Sequence, residues 1–281
     1  MDRHVWEVAK ARIVVSDGKV VSVGEPKTKF CPIIHAMMGE HERTVDNIRE
    51  SMETRIEAFG LSTPRRVLEA KEFGVGFGAS ECLATALREK ILETTVTVCD
   101  GAGTIIAAKP SVVQGVGMIM SALIETTPIP ELVERLEREG ITVLDPTNAT
   151  IDQVGGVERA FEMGYRKVGV TVMGPDARMI SVMRELEEKN GATLLIIVIH
   201  TTGIGKDMVP FIEKADIVHA CASKIVRELI APKAKVTFGK SIPVYALTEL
   251  GERVLGAQEK MVVKTGRILE IGTPKSPSPL S

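Results

Sequence analysis

The residues best suited to chemistry lie where β-prone apolar runs give way to Gly, Ser, Thr and Cys. Four such junctions stand out, at 95–104, 167–175, 193–205 and 216–223. The first carries Cys99, Asp100, Gly101, Gly103 and Thr104. Its glycines permit a tight turn whose amides can meet an anion, and Cys99 is a possible nucleophile if a cation or helix N-terminus stabilises its thiolate. It is not a phosphate loop of the GxxxxGK[ST] type, and Ile106 stands where a dinucleotide fingerprint needs its third glycine. A tight turn without a ligand explains the same residues. At the third junction His200 ends the aliphatic run 194–199, followed by Thr201, Thr202 and Gly203. A histidine there can move a proton near neutral pH or hold a metal. It can equally be a hydrogen-bonded strand end.

The fourth junction contains His219, Cys221 and Ser223. Ser223 has the position of an N-cap for a helix over 224–230, a role that needs no ligand. Ser80, after Gly74, Gly76 and Gly78, is another hydroxyl that can line a site or cap a helix. Cys31 and His35, four apart, are candidate metal ligands, with Cys82 and Cys221, or Cys99 and His200, completing a set for zinc or an iron–sulfur cluster. Their spacing matches no standard cysteine motif, and scattered cysteines commonly serve as small buried hydrophobes.

These junctions need a scaffold, and the pattern from about residue 94 supplies one. Strand-like runs alternate with helical periodicity as far as 258, which predicts βαβ units and an α/β fold: a mostly parallel sheet with helices on both faces. In such a sheet ligands sit outside the carboxyl ends of the strands. One helix is expected at 111–124, and Thr63-Pro64 has the signature of another helix start. Residues 7–24 read as a hairpin turning at Asp17-Gly18, and 261–271 has similar β character. The expected division is a hairpin and helical segment at 1–93, the α/β core at 94–258, a C-terminal ribbon at 259–272 and a disordered tail at 273–281. The terminal segments would together form a small antiparallel ribbon.

Composition narrows the classes. The chain is 44% hydrophobic and 26% charged, with a net charge of −2 and 4% aromatic residues. There is no basic footprint and no stacking platform for nucleic acid. No apolar run is long enough for a bilayer, and the first residues lack a basic-then-apolar signal pattern, so a cytoplasmic protein is expected.

In order along the chain, Cys99–Thr104, Val112–Ser121, Ile151–Gly156, His200–Ile204 and Ala220–Ser223 together resemble the family called methanogenesis marker protein 8. The likeness runs from about Val5 to Gln258 and rests on the combination, since no one motif is specific. It implies an archaeal protein linked to methane metabolism. It carries over no catalytic residue and no cofactor, and does not say whether the protein is an enzyme. The residues themselves point to a small anionic or phosphorylated ligand at the strand ends, lined by Asp100, Gly101, Gly103, Thr104, Thr201 and Thr202, with His200 transferring a proton. The rivals are an accessory or maturation factor for a methanogenic enzyme, for which Met37-Met38 and Met118–Met120 offer adaptable surfaces, and a metal or iron–sulfur protein. A homo-oligomer is also compatible with the apolar segments.

Overall fold

The structure is a computed structural model and describes residues 2–39, 42–70, 75–118, 120–266 and 275–281. Its main element is an eight-stranded sheet. The centre is formed by β4 (Thr94–Cys99), β8 (Lys167–Met173), β9 (Thr193–Ile199) and β10 (Ile217–His219), which run parallel in the order β10-β9-β8-β4. Antiparallel β5 (Gly103–Ala107) and β7 (Thr142–Val143) extend one side, and β12 (Val244–Ala246) and β11 (Val236–Phe238) extend the other. The sheet is thus mixed, not mostly parallel.

Along β9 the side chains alternate between the two faces, Leu195 and Ile197 to one and Leu194, Ile196 and Val198 to the other. That is the period of two expected for a strand buried on both sides. Helices α3 (Ala79–Arg88), α4 (Pro110–Gly117), α5 (Pro130–Arg138) and α9 (Glu249–Thr265) cover the first face. Helices α6 (Gln153–Glu162), α7 (Met179–Lys189) and α8 (Val209–Ile212), with the π-helical turn Val226–Ile230, cover the second. Among the described residues no helix is long and apolar enough to cross a membrane.

A separate four-stranded antiparallel sheet runs β3-β2-β1-β6, from β1 (His4–Val8), β2 (Ala11–Ser16), β3 (Lys19–Val23) and β6 (Ala122–Thr126). It packs on α2 (Val45–Phe59) through Trp6, Ile13, Ile48, Met52 and Leu123. This corrects the ribbon expected from the two termini. The partner of the N-terminal strands is β6, and residues 261–265 complete α9 instead of a strand. The remainder of the expected ribbon, 267–272, lies outside the described residues, as do residues 273–274 of the expected tail.

β6 also divides the helix expected at 111–124. Helix α4 stops at Gly117, and Leu123 is buried by pairing in the small sheet. Apolar residues suited to a helix face were here recruited by a strand partner more than a hundred positions away. Thr63-Pro64 forms turns, and the described residues 66–70 that follow are not helical. The end of the chain is not loose: Ser278 pairs with Phe30, while Ser281 N–H donates to the Ala222 carbonyl at 2.9 Å.

Candidate functional site

Because β4, β8, β9 and β10 are parallel, their carboxyl ends share one edge of the sheet, and Asp100, Thr202 and Ser223 all follow it. The edge has two different parts. At the β4 end, Asp100–Ala102 turn the chain back into antiparallel β5, with Cys99 paired to Gly103. The expected strand-to-helix loop is therefore a hairpin turn, and protein groups fill it. Asp100 is fully buried, accepts from Arg66 Nε at 3.0 Å and from the Ser62 amide, and has no open face. Gly101 N–H donates to Thr126 Oγ1 at 2.7 Å, and its carbonyl accepts from Ile129 N–H at 2.8 Å. A Cβ on Gly103 would lie 2.3 Å from the Ala149 carbonyl oxygen. Thr104 Oγ1 donates to Gln153 Oε1 and accepts from Asp152 N–H, each at 2.8 Å. Cys99 is buried in the apolar core, and burial raises its thiol well above its ordinary value. Asp100, Gly101, Gly103 and Thr104 thus hold the hairpin in place, and Cys99 has the surroundings of an unreactive core thiol.

The β9–β10 end is different. His200 and Cys221 follow adjacent parallel strands, and both adopt left-handed backbone, at φ 53° and 44°. Non-glycine residues rarely do so, and such strain gathers at functional sites. The hydroxyls between them set the geometry. Thr201 is fully buried, and its Oγ1 donates to the His219 carbonyl at 2.7 Å, tying the two strand ends together. Thr202 Oγ1 accepts from Ala222 N–H at 3.1 Å. Ser223 Oγ accepts from Val226 N–H at 3.2 Å, the capping role its position predicts. The Cys221 thiol is raised by burial, against the opposing pull of the Thr201 amide and hydroxyl and the His200 amide.

Burial lowers both His200 and His219 to about 4, with Lys10 adding to the effect on His200 and His200 to that on His219. Both rings are neutral at physiological pH. Among the described residues His219 Nε2 and Arg227 Nε are buried without a hydrogen-bond partner, while Arg227 Nη2 donates to the Cys221 carbonyl at 2.8 Å. Lys10 reaches the same edge from the β1–β2 turn: its Cε lies 3.7 Å from where a Cβ on Gly203 would stand. Arg227 and Lys10, the latter paired with Glu7 at 2.8 Å, are therefore cations beside the strand ends; the sequence offers Arg227, with Lys224, as a possible anion holder and does not single out Lys10. Arg227 had a visible signal, three residues from Lys224 on one helix. Lys10 had none, since only the packing of the small sheet brings it there.

Among the described residues the proposed metal residues do not come together as one set. Cys31 caps α1 (Pro32–Met38), and the His35 ring centre lies 5.7 Å from that of Phe30. Cys82 is in the core of α3, its thiol raised by burial and by Glu81. Among the described residues no three His, Cys, Asp or Glu side chains gather to hold a metal ion. Ser80 lies within the first turn of α3, whose N-cap is Gly78, and its Cβ faces Gly117 of α4. An open cleft of about 450 Å³ lies elsewhere, between the end of α3 and α9, lined by Glu89, Ile91, Arg253, Ala257, Lys260 and Lys264.

An uncharacterized protein of Methanocaldococcus jannaschii, MJ0054, is 43% identical over 258 residues, covering 91% of this chain and 90% of that protein. The family described as "Uncharacterized protein conserved in archaea (DUF2099)" matches residues 4–262. With that match spanning both sheets, the chain belongs to the DUF2099 family of archaeal proteins.

Proposed function

We propose that this protein binds a small anionic or phosphorylated ligand at the carboxyl ends of β9 and β10, as a methanogenesis-associated protein of the marker protein 8 type. The observation that carries the binding reading is the pair of left-handed residues, His200 and Cys221, at neighbouring strand ends. Backbone strain of this kind costs on the order of 1–3 kcal/mol per residue and persists only where the surroundings enforce it. Supporting it are the Lys10 and Arg227 cations and the orphaned donor on Arg227. Neutral His200 is suited to accept a hydrogen bond from the ligand; its lowered basicity makes it a weak proton acceptor and a poor cation near pH 7. The β4 end contributes support for the hairpin and no lining. The methanogen source of the relative is what supports the metabolic assignment.

Amide NMR with inorganic phosphate, pyrophosphate and AMP as probes tests the binding reading. Shifts confined to residues 200–204 and 219–224, and lost in Thr202→Val, are expected for at least one probe. Absence of any response, or shifts confined to the α9 cleft, would remove it.

A further inference from the structure

The four cysteines fall into two classes. Cys82 and Cys99 are completely buried, whereas Cys31 and Cys221 are partly exposed. Those two lie on either side of one short segment. Ser278 exchanges hydrogen bonds with Phe30, the residue before Cys31, at 2.9 and 3.1 Å. Ser281 donates to the Ala222 carbonyl and accepts from Lys224 N–H, each at 2.9 Å, and Ala222 follows Cys221. Three Cα steps separate Ser278 from Ser281, a reach of at most about 11 Å. The segment therefore straps the start of α1 to the end of β10. The thiols are also within electrostatic reach of each other, since a Cys31 thiolate opposes ionisation of Cys221.

We propose that Cys31 and Cys221 are a reversible disulfide site, which when oxidised fastens residues 278–281 and α1 over the β9–β10 strand ends. The oxidant class is a small-molecule disulfide. The Cys31 thiolate, at the residue before α1, attacks one sulfur of that reagent and expels a thiolate, leaving a mixed disulfide on Cys31. The Cys221 thiolate then attacks the Cys31 sulfur and expels the second thiolate. The two protein thiol protons end on the two released thiols, and two electrons pass from the cysteine pair to the reagent. Cys221 suits the second step. Its thiol is held back from ionising by burial, while the amides of His200 and Thr201 face the thiolate once it forms. The other cysteines are excluded by burial. This site does not depend on the anion reading, because its formation is read with no ligand present.

Full-length protein is incubated with oxidised glutathione without denaturant, then alkylated in denaturant and mapped by mass spectrometry. The expected result is one linked peptide pair joining Cys31 to Cys221, with Cys82 and Cys99 alkylated. Cys31→Ser and Cys221→Ser should each abolish the link while keeping the wild-type circular dichroism spectrum. Glutathione retained on Cys31 without conversion, a link between other cysteines, or alkylation of all four would overturn the proposal. Phosphate or AMP binding is scored separately, so either reading can fail alone.

Discussion

Arg66 Nε lies 3.0 Å from Asp100 Oδ1, and neither side chain touches solvent. The guanidinium also donates to the Val116 carbonyl at 2.8 Å and the Val67 carbonyl at 2.9 Å, so one buried cation joins the end of β4, the end of α4 and the segment after α2. Ser62, which donates its amide to Asp100, accepts in turn from Trp6 Nε1 at 3.2 Å. The small sheet is thereby fastened to the main sheet through polar groups that water cannot reach.

Removing one partner leaves the other charge buried and unpaired. Asp100→Asn is expected to cost about 3–5 kcal/mol of stability. Arg66→Lys should fail as a replacement, since an ammonium cannot reproduce the forked geometry. The double variant Arg66→Met/Asp100→Leu should recover much of the loss. Urea unfolding followed by Trp6 fluorescence measures all three. A wild-type midpoint for Asp100→Asn would show that the pair does not hold the sheets together.

The histidines predict an acid-sensitive fold. His200 and His219 are lowered to about 4 by burial, below the ordinary value of 6.5 that the unfolded chain has. The unfolded state therefore takes up protons first as pH falls. Stability is full above about pH 6.5, declines between there and about pH 4, and levels off below. Each ring contributes up to roughly 3 kcal/mol to that decline, less for the share of it that meets solvent. His200→Gln should flatten the slope between pH 6.5 and 4.5. Imidazole signals titrating near 6.5 in the folded protein would contradict the burial argument.

Two glycines with the same backbone hand should respond differently. Gly103 and Gly203 have φ 72° and 74°. A Cβ at Gly103 meets the Ala149 backbone, whereas at Gly203 the nearest atoms, on Lys10 and Ser281, are 3.7 Å away. Gly103→Ala is expected to lower stability by well over 1 kcal/mol, and Gly203→Ala by about 1 kcal/mol. Thermal melts in parallel decide this. Equal losses would mean that steric closure around Gly103 is relieved by movement of the 149–150 loop.

Local pattern was a sound guide where contacts are close in sequence. Asp17-Gly18 forms its turn between β2 and β3, and Ser223 caps the segment that follows it. The pattern misled where a distant partner decided the outcome. Residues 122–126 carry apolar side chains that continue the periodicity of α4, and only pairing with β1 makes them a strand. Cys99-Asp100-Gly101 reads as a ligand loop because small and polar residues serve both exposed sites and buried turns. Nothing local announces that Arg66, more than thirty positions earlier, will fill it.

By itself, then, the order of residues dictated the central parallel strands, most of the helices that cover them, and the chemical types waiting at the strand ends, because periodicity and turn chemistry act over a few neighbouring residues. Tertiary packing alone decided which end is sealed and which retains strained, titratable groups. Arg66 closes the β4 end, while Lys10, Cys31 and Ser281 arrive beside β9 and β10 from opposite ends of the chain. Charge pairing and backbone hydrogen bonding across such separations depend on where the folded chain brings these groups, which no stretch of sequence carries.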